Sequence, residues 1–130
     1  VVNITCYGDS TTEGVGSSQH SNYRQDGQES SWKCPTAYPA QLERILKDMF
    51  NNTNIRVNNA GYAGKTVYDG WATRNIYQKV KTAFSTDVLI LGFGLNDIAN
   101  GDFSNEKYVT EMKKIIGYQI MKYYYNKNKI

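Results

Sequence analysis

The chain has 130 residues, of which 40% are hydrophobic and 21% are charged, a composition typical of a single soluble domain with one core. No apolar run approaches the roughly 20 residues of a membrane span, so a membrane-spanning protein is excluded. The formal net charge is +3, but residues 118–130 hold three lysines and no acid, which leaves 12 basic and 12 acidic residues elsewhere. A nucleic-acid-binding surface is therefore not expected.

Three apolar runs predict β-strands. The first covers Val1 to Tyr7, the second covers Ile55 to Ala60, and the third covers Asp87 to Gly94. The third run is almost unbroken, as in strands that are covered on both faces of a parallel sheet. We therefore expect the third strand at the centre of the sheet.

Residues with helical spacing follow each strand. Pro39 suits the first turn of the first helix. The second helix is expected from Thr66 to about Phe84, but Gly70 makes its start uncertain. Ser104 is a suitable N-cap for the third helix. The apolar residues at this spacing are Tyr38, Leu42, Ile45, Leu46, Met49 and Phe50 in the first helix, Val67, Trp71, Ile76, Val80 and Phe84 in the second, and Tyr108, Met112, Ile115, Ile116 and Ile120 in the third.

The alternation of strands and helices predicts an α/β fold with a parallel sheet and right-handed crossovers. We expect one domain over residues 1–117. Residues 118–130 are rich in Tyr, Lys and Asn, a composition unlike the rest, and are interpreted as a tail.

A serine follows the first predicted strand directly, on the tight turn Gly8-Asp9-Ser10. A serine hydroxyl attacks a carbonyl when a base accepts its proton and hydrogen-bond donors stabilise the charge that forms on the carbonyl oxygen. Two further polar stretches, Asn59 to Gly64 and Gly94 to Asp97, follow the second and third strands. Because the carboxyl ends of parallel strands meet at one edge of a sheet, the three stretches are expected to share one active site.

Together these stretches resemble the sequence blocks of the SGNH hydrolases, also called GDSL-type esterases and lipases. Gly8-Asp9-Ser10 matches the first block, Asn59 to Gly64 matches the block with the oxyanion glycine, and Gly94 to Asp97 matches the Gly-x-Asn-Asp block. The resemblance covers residues 1 to about 116. It implies a flavodoxin-like, three-layer α/β/α fold.

By this resemblance Ser10 is the nucleophile, and Ser10, Gly61 and Asn96 form the oxyanion hole. Asp9 and Asp97 border the site, where we expect them to hold loops in place through backbone hydrogen bonds. The implied reaction is hydrolysis of an acyl or acetyl ester, on a small molecule or an acylated carbohydrate, with no metal and no cofactor.

The sequence departs from the family in lacking the Asp-x-x-His block that supplies the acid and base of the triad. Its single histidine, His20, lies in a polar loop with no carboxylate placed to orient it, so a solvated residue is favoured over a catalytic base. Without a triad member, only about 10³–10⁴-fold catalysis over water is expected. The chain is therefore a piece of an esterase, an esterase completed by a partner, or an inactive SGNH-derived binding or structural module.

Two other interpretations concern the second block and its surroundings. Gly64-Lys65-Thr66 between a strand and a helix is similar to a phosphate-binding loop, but Asn59 stands where that motif requires its first glycine. Trp32, Tyr62 and Trp71 are candidates for an apolar or sugar-stacking wall, although core packing is the favoured role of Trp71.

The third strand also predicts how the chain associates. In the flavodoxin-like order the second strand lies outside the first, and the first pairs with the third. Val88 to Leu91 is then an apolar edge that no further predicted strand covers. We therefore expect pairing with a second copy or a complementing chain, and a symmetric dimer is the simplest closed form.

Overall fold

The computed structural model describes residues 1–22, 34–76 and 86–128, and the structural statements below refer to these residues. Three parallel strands, β1 (Val2–Gly8), β2 (Ile55–Gly61) and β3 (Val88–Gly92), form one sheet in the order β2-β1-β3. The three predicted strands and their parallel pairing are confirmed.

Two positions were expected for the third strand, and the edge position is confirmed while the central one is wrong, because β1 is the central strand of the described sheet and β3 lies at an edge. The apolar character of β3 has another cause, which is packing on both faces. Ile90 packs against one core, whereas Leu89 and Leu91 pack against the other. An edge strand covered on both faces has the same continuous apolar pattern as a central strand.

Helices cover both faces of the sheet, as the predicted α/β/α class requires. Ile4 and Cys6 of β1 face the first core, which α2 covers, whereas Tyr7 faces the second core, which α3 and α5 cover. None of the helices in the described ranges combines the length and apolar character that a membrane crossing needs. The helices are α1 (Ser10–Glu13), α2 (Tyr38–Met49), α3 (Trp71–Asn75), α4 (Leu95–Ala99) and α5 (Asn105–Asn128), with a 3₁₀ turn at His20–Asn22.

Two helix boundaries differ from the sequence prediction. The second predicted helix begins at Trp71 rather than at Thr66, because Gly70 has a φ of +83° and interrupts the helical backbone. Its predicted residues Val80 and Phe84 lie outside the described residues. The last helix, α5, continues through residues 118–128, which the sequence analysis treats as a tail.

The predicted cap of α5 is present, since Ser104 Oγ accepts a hydrogen bond from the Lys107 backbone N–H at 3.1 Å.

The buried face of α5 is narrower than expected. Ile115 is fully buried, but Ile116 and Ile120 are 47% and 52% exposed. The apolar spacing of α5 therefore overestimates how much of the helix packs on the sheet.

A hydrogen-bonded cluster joins α5 to α3. The Thr73 hydroxyl donates to Glu111 Oε2 at 2.7 Å, and Lys114 Nζ lies 2.8 Å from Glu111 Oε1. The hydrogen bonds from Lys114 and then from Thr73 lower the pKa of the Glu111 carboxyl. The ionised form of Glu111 thus stabilises the contact between the two helices.

Glu111→Ala is expected to lower the free energy of unfolding by about 1.5 kcal/mol at neutral pH, since it removes a hydrogen bond to a charged group. The folded-state pKa of Glu111 lies below its ordinary value of 4.5, so its contribution is complete above that pH and is lost as the pH falls through the folded-state value. Urea unfolding from neutral pH to about pH 3 should show the wild type and the variant converging. Lys113→Ala, an exposed change on the same helix, is the control. A stability difference that persists undiminished in acid would contradict this assignment.

Candidate active site

Three glycines form the carboxyl edge of the sheet. Gly8, Gly61 and Gly92 are the last residues of β1, β2 and β3, and the register places Gly8 between the other two. The one-turn helix α1 lies across this row. A Cβ atom on Gly61 would overlap the backbone of Glu13, and one on Gly8 or Gly92 would meet Thr12 Oγ1. Only residues without a side chain let α1 approach the sheet this closely.

Ser10 is the first residue of α1 and is half-buried. The preceding residue, Asp9, is buried and caps the helix, because its Oδ1 accepts a hydrogen bond from the Thr11 N–H at 3.0 Å. Within the described part of the chain, no group hydrogen-bonds the Ser10 hydroxyl or the Ser10 backbone N–H. Neither group is thus occupied by another group of residues 1–22, 34–76 or 86–128.

Asn96 and Asp97 lie on α4, directly after β3, and both contact the loop between β2 and α3. The Asn96 side-chain amide donates to the Lys65 carbonyl oxygen at 3.0 Å. Asp97 is fully buried, and its Oδ1 accepts from the backbone N–H groups of Val67 at 2.9 Å and Tyr68 at 2.8 Å. Asp97 thus holds this loop beside β3 and brings the second and third blocks together.

The two aspartates also affect a tyrosine beside the site. The Tyr108 hydroxyl donates to the Phe93 carbonyl oxygen at 3.0 Å. Burial raises the pKa of Tyr108, and the negative charges of Asp97 and Asp9 raise it further. Tyr108 is therefore neutral near pH 7 and is a hydrogen-bond donor rather than a base.

The two glycines of the second block have different surroundings. The sequence predicts Gly61 as an oxyanion donor, but its backbone N–H already donates to Asn59 Oδ1 at 2.9 Å. Gly64 is exposed, has a φ of +78°, and its N–H has no acceptor among the described residues. It also directly precedes Lys65, which Asn96 contacts. Among the described residues, the Gly64 N–H is therefore unoccupied, whereas the Gly61 N–H is not. The sequence indicates this alternative, because Gly64 is a second glycine in the same block.

His20 is not solvated as expected, because its side chain is only 12% exposed and contacts a carboxylate. Its Nε2 lies 2.6 Å from Oε2 of Glu13, which is 5% exposed, while Glu13 Oε1 accepts from the Ala63 N–H at 3.2 Å. No hydrogen bond joins His20 to Ser10 in the described ranges. The sequence analysis missed Glu13, although an acid one helical turn after Ser10 is a visible signal.

The alternative interpretations of the second block are weakened by packing. Tyr62 is buried, its ring centroid lies 5.3 Å from that of Trp71, and the Lys65 ammonium covers the Trp71 ring at 5.4 Å. Trp71 thus packs against the core, and Trp32 lies outside the described residues. Thr66 is buried, and α3 begins only at Trp71, so no helix N-terminus stands directly behind Lys65 to bind a phosphate.

A family model matches the sequence, and known structures share the fold. The model of the GDSL-like lipase/acylhydrolase family matches residues 6–125. The structure is similar to that of AlinE4, an SGNH-hydrolase family esterase, with a TM-score of 0.60 and 24% identity over 89% of this chain and 51% of that one. It is also similar to the lipase/acylhydrolase from Enterococcus faecalis, with a TM-score of 0.61 and 18% identity over 92% of this chain and 52% of that one. The chain thus spans about half the length of these structures, and at such identities the likeness shows the fold. No curated protein matches the chain.

The different surroundings of the two glycines predict different effects of alanine. We expect Gly61→Ala to lower the free energy of unfolding by about 3 kcal/mol or more, because its Cβ has no room against the backbone of α1. Gly64→Ala should cost only about 1 kcal/mol, the penalty for a left-handed conformation, since no atom of the described residues lies within 4 Å of the position of its Cβ. Thermal unfolding followed by circular dichroism measures both, with Gly101→Ala as the neutral control. Equal losses at Gly61 and Gly64 would be inconsistent with the close approach of α1.

Proposed function

The chain belongs to the GDSL-like lipase/acylhydrolase family, and on that premise we propose that it carries the nucleophile and the oxyanion hole of an SGNH-type serine esterase. The substrate is an acyl or acetyl ester on a small molecule or an acylated carbohydrate. One observation carries the proposal: the hydroxyl and N–H of Ser10 are available at the sheet edge where all three blocks meet.

In the proposed reaction Ser10 Oγ attacks the carbonyl carbon of the ester, and its proton passes to a base. The carbonyl oxygen becomes negatively charged in the tetrahedral intermediate. The alcohol then leaves with a proton, and water hydrolyses the acyl-serine to release the acid. Every step except proton transfer uses groups at the carboxyl edge of this sheet.

Three donors are proposed for the negative charge on the carbonyl oxygen. They are the Ser10 N–H, the Gly64 N–H and the Asn96 side-chain amide, with Gly64 in place of Gly61 because the Gly61 N–H is occupied. One N–H of the Asn96 amide binds Lys65, and the other is left for the substrate. Removing one such donor typically raises the barrier by about 3 kcal/mol.

The acid and base are proposed to come from outside the 130 residues. The sequence has one histidine, His20, and its Nε2 is engaged by Glu13. Asp9 and Asp97 accept backbone hydrogen bonds, which is a loop-holding role rather than proton transfer. An Asp-x-x-His segment, in the same polypeptide or in a partner, would supply both missing groups.

The edge of β3 is proposed as the surface that binds a second copy of the chain. Within the described residues no strand pairs with the outer side of β3, and Val88 is 46% exposed there. An apolar edge of this kind favours pairing with another strand. Pairing of two β3 edges gives a symmetric dimer. Further exposed apolar side chains on α5 are Val109, Ile116, Ile120 and Met121.

Hydrolysis of p-nitrophenyl acetate tests the function. The chain alone should be feebly active, and the chain joined to a family segment that carries Asp-x-x-His should be far more active. In the joined protein, Ser10→Ala should lower kcat by about 10³-fold or more, and Asn96→Ala by about 10²-fold. Ser18→Ala, an exposed serine nearby, is the matched control. Robust hydrolysis that survives Ser10→Ala would mean that Ser10 is not the nucleophile. A joined protein that folds but stays inactive would favour a binding or structural module.

Light scattering at micromolar concentration tests the dimer. The wild type should have twice the mass of the chain, with slow amide exchange at Leu89 and Leu91. Val88→Lys, which places a charge on the edge, should yield monomers, whereas Val109→Lys on α5 should not. A wild-type monomer with rapid exchange at both leucines would rule out the dimer. Protection that appears only after addition of the Asp-x-x-His segment would identify a complementing chain instead.

A further inference from the structure

We infer that Glu13 is a positioning residue, which holds the turn at Gly64 against the helix that carries Ser10. The inference rests on the proposed function, because it concerns the donor assigned to Gly64. Glu13 is the last residue of α1 and lies one helical turn after Ser10. Its Oε1 accepts from the N–H of Ala63, the residue directly before Gly64, at 3.2 Å. One carboxylate thus links the nucleophile helix to the turn.

Glu13 holds the turn on the side of Ser10, whereas Asn96 holds it on the side of β3. Gly64 is exposed, and a Cβ atom at this position would have no atom of the described residues within 4 Å. The hydrogen bond that closes the turn, from the Lys65 N–H to the Tyr62 carbonyl oxygen, is long at 3.4 Å. On the far side Asn96 holds the Lys65 carbonyl oxygen at 3.0 Å. Glu13 is the corresponding contact on the side of Ser10.

The position of this turn matters for catalysis. An oxyanion donor acts when it lies about 2.7–3.1 Å from the developing charge, so a small displacement of the Gly64 N–H removes most of its effect. The hydrogen bond from the Ala63 N–H to Glu13 Oε1 restrains the residue directly before Gly64. Glu13 therefore acts on the reaction through Gly64 and does not touch the substrate.

His20 completes the arrangement by holding the second oxygen of Glu13. His20 Nε2 and Glu13 Oε2 are hydrogen-bonded at 2.6 Å. The contact compensates a carboxylate that is 95% buried and aims its other oxygen at Ala63. This assigns His20 to the support of Glu13.

The chain contains a matched control for this contact. Glu43 of α2 also accepts a backbone N–H from a neighbouring segment, that of Val57 in β2, at 2.8 Å. It also has a basic partner, Lys47, at 3.4 Å. This contact joins α2 to the sheet and involves none of the three blocks. If Glu13 had only a structural role, its replacement by alanine should therefore have the same effects as the replacement of Glu43.

The first experiment measures p-nitrophenyl acetate hydrolysis and thermal unfolding in the protein joined to the Asp-x-x-His segment. Glu13→Ala should lower kcat by about 10- to 100-fold while KM changes less than about 3-fold, because the Gly64 N–H is misplaced. Glu13→Gln should restore most of kcat, since its amide oxygen accepts from Ala63. Glu43→Ala should lower the melting temperature but not kcat. Unchanged kcat in a folded Glu13→Ala, or an equal loss in Glu13→Gln, would overturn the inference.

The second experiment needs no activity. Amide exchange in the chain alone, followed by NMR, should be faster at Ala63 in Glu13→Ala than in the wild type, and nearly unchanged in Glu13→Gln. If Glu13→Ala does not fold, Glu13→Asp replaces it, because the shorter side chain cannot span to Ala63. Equal exchange at Ala63 in all variants would overturn the inference. The joined protein could instead be inactive, or its activity could be unaffected by Ser10→Ala, while amide exchange at Ala63 follows the expected pattern. That result would overturn the proposed function but not the contact between Glu13 and the turn.

Discussion

The close approach of α1 to the sheet is the constraint on which the site depends. Gly61, Gly8 and Gly92 stand side by side at the ends of three strands, so a helix backbone can lie where side chains would otherwise project. Thr12 of that helix is buried over the row and shares a 3.2 Å hydrogen bond with the Tyr38 hydroxyl of α2. The helix that begins with Ser10 is therefore held from below by the sheet and from the side by α2.

A second set of contacts joins the loop between β2 and α3 to this helix and to α4. Each contact pairs a side chain with a backbone group: Glu13 with Ala63, Asn96 with Lys65, and Asp97 with Val67 and Tyr68. Hydrogen bonds to carboxylates contribute roughly 1.5–3 kcal/mol each, so a loop without regular structure can still hold a defined shape. The loop thus connects the first block to the third without a β-strand or helix of its own.

The charges of the site follow from these contacts. Asp9, Glu13 and Asp97 are all buried, and each accepts at least one backbone N–H, which offsets the unfavourable burial of a carboxylate. Burial raises the pKa of Tyr108, and the negative charges of Asp97 and Asp9 raise it further. Negative charge at these carboxylates would also favour the imidazolium of the proposed histidine base. The surroundings are thus compatible with the base that we propose.

The sequence by itself determined the strands, the parallel sheet, the capped start of α5 and the position of Ser10 after β1, because apolar periodicity and turn residues are local signals. It also predicted that Asn96 and Asp97 follow the third strand. Tertiary structure alone decided which hydrogen-bonding groups near the site already have a partner within the chain. The Asn59 side chain accepts from the Gly61 N–H, and His20 contacts Glu13 from seven residues away, through the path of a loop that no local pattern describes. The exposure of Ile116 was decided in the same way, because apolar spacing shows that a residue can be buried but not which neighbour is there to bury it.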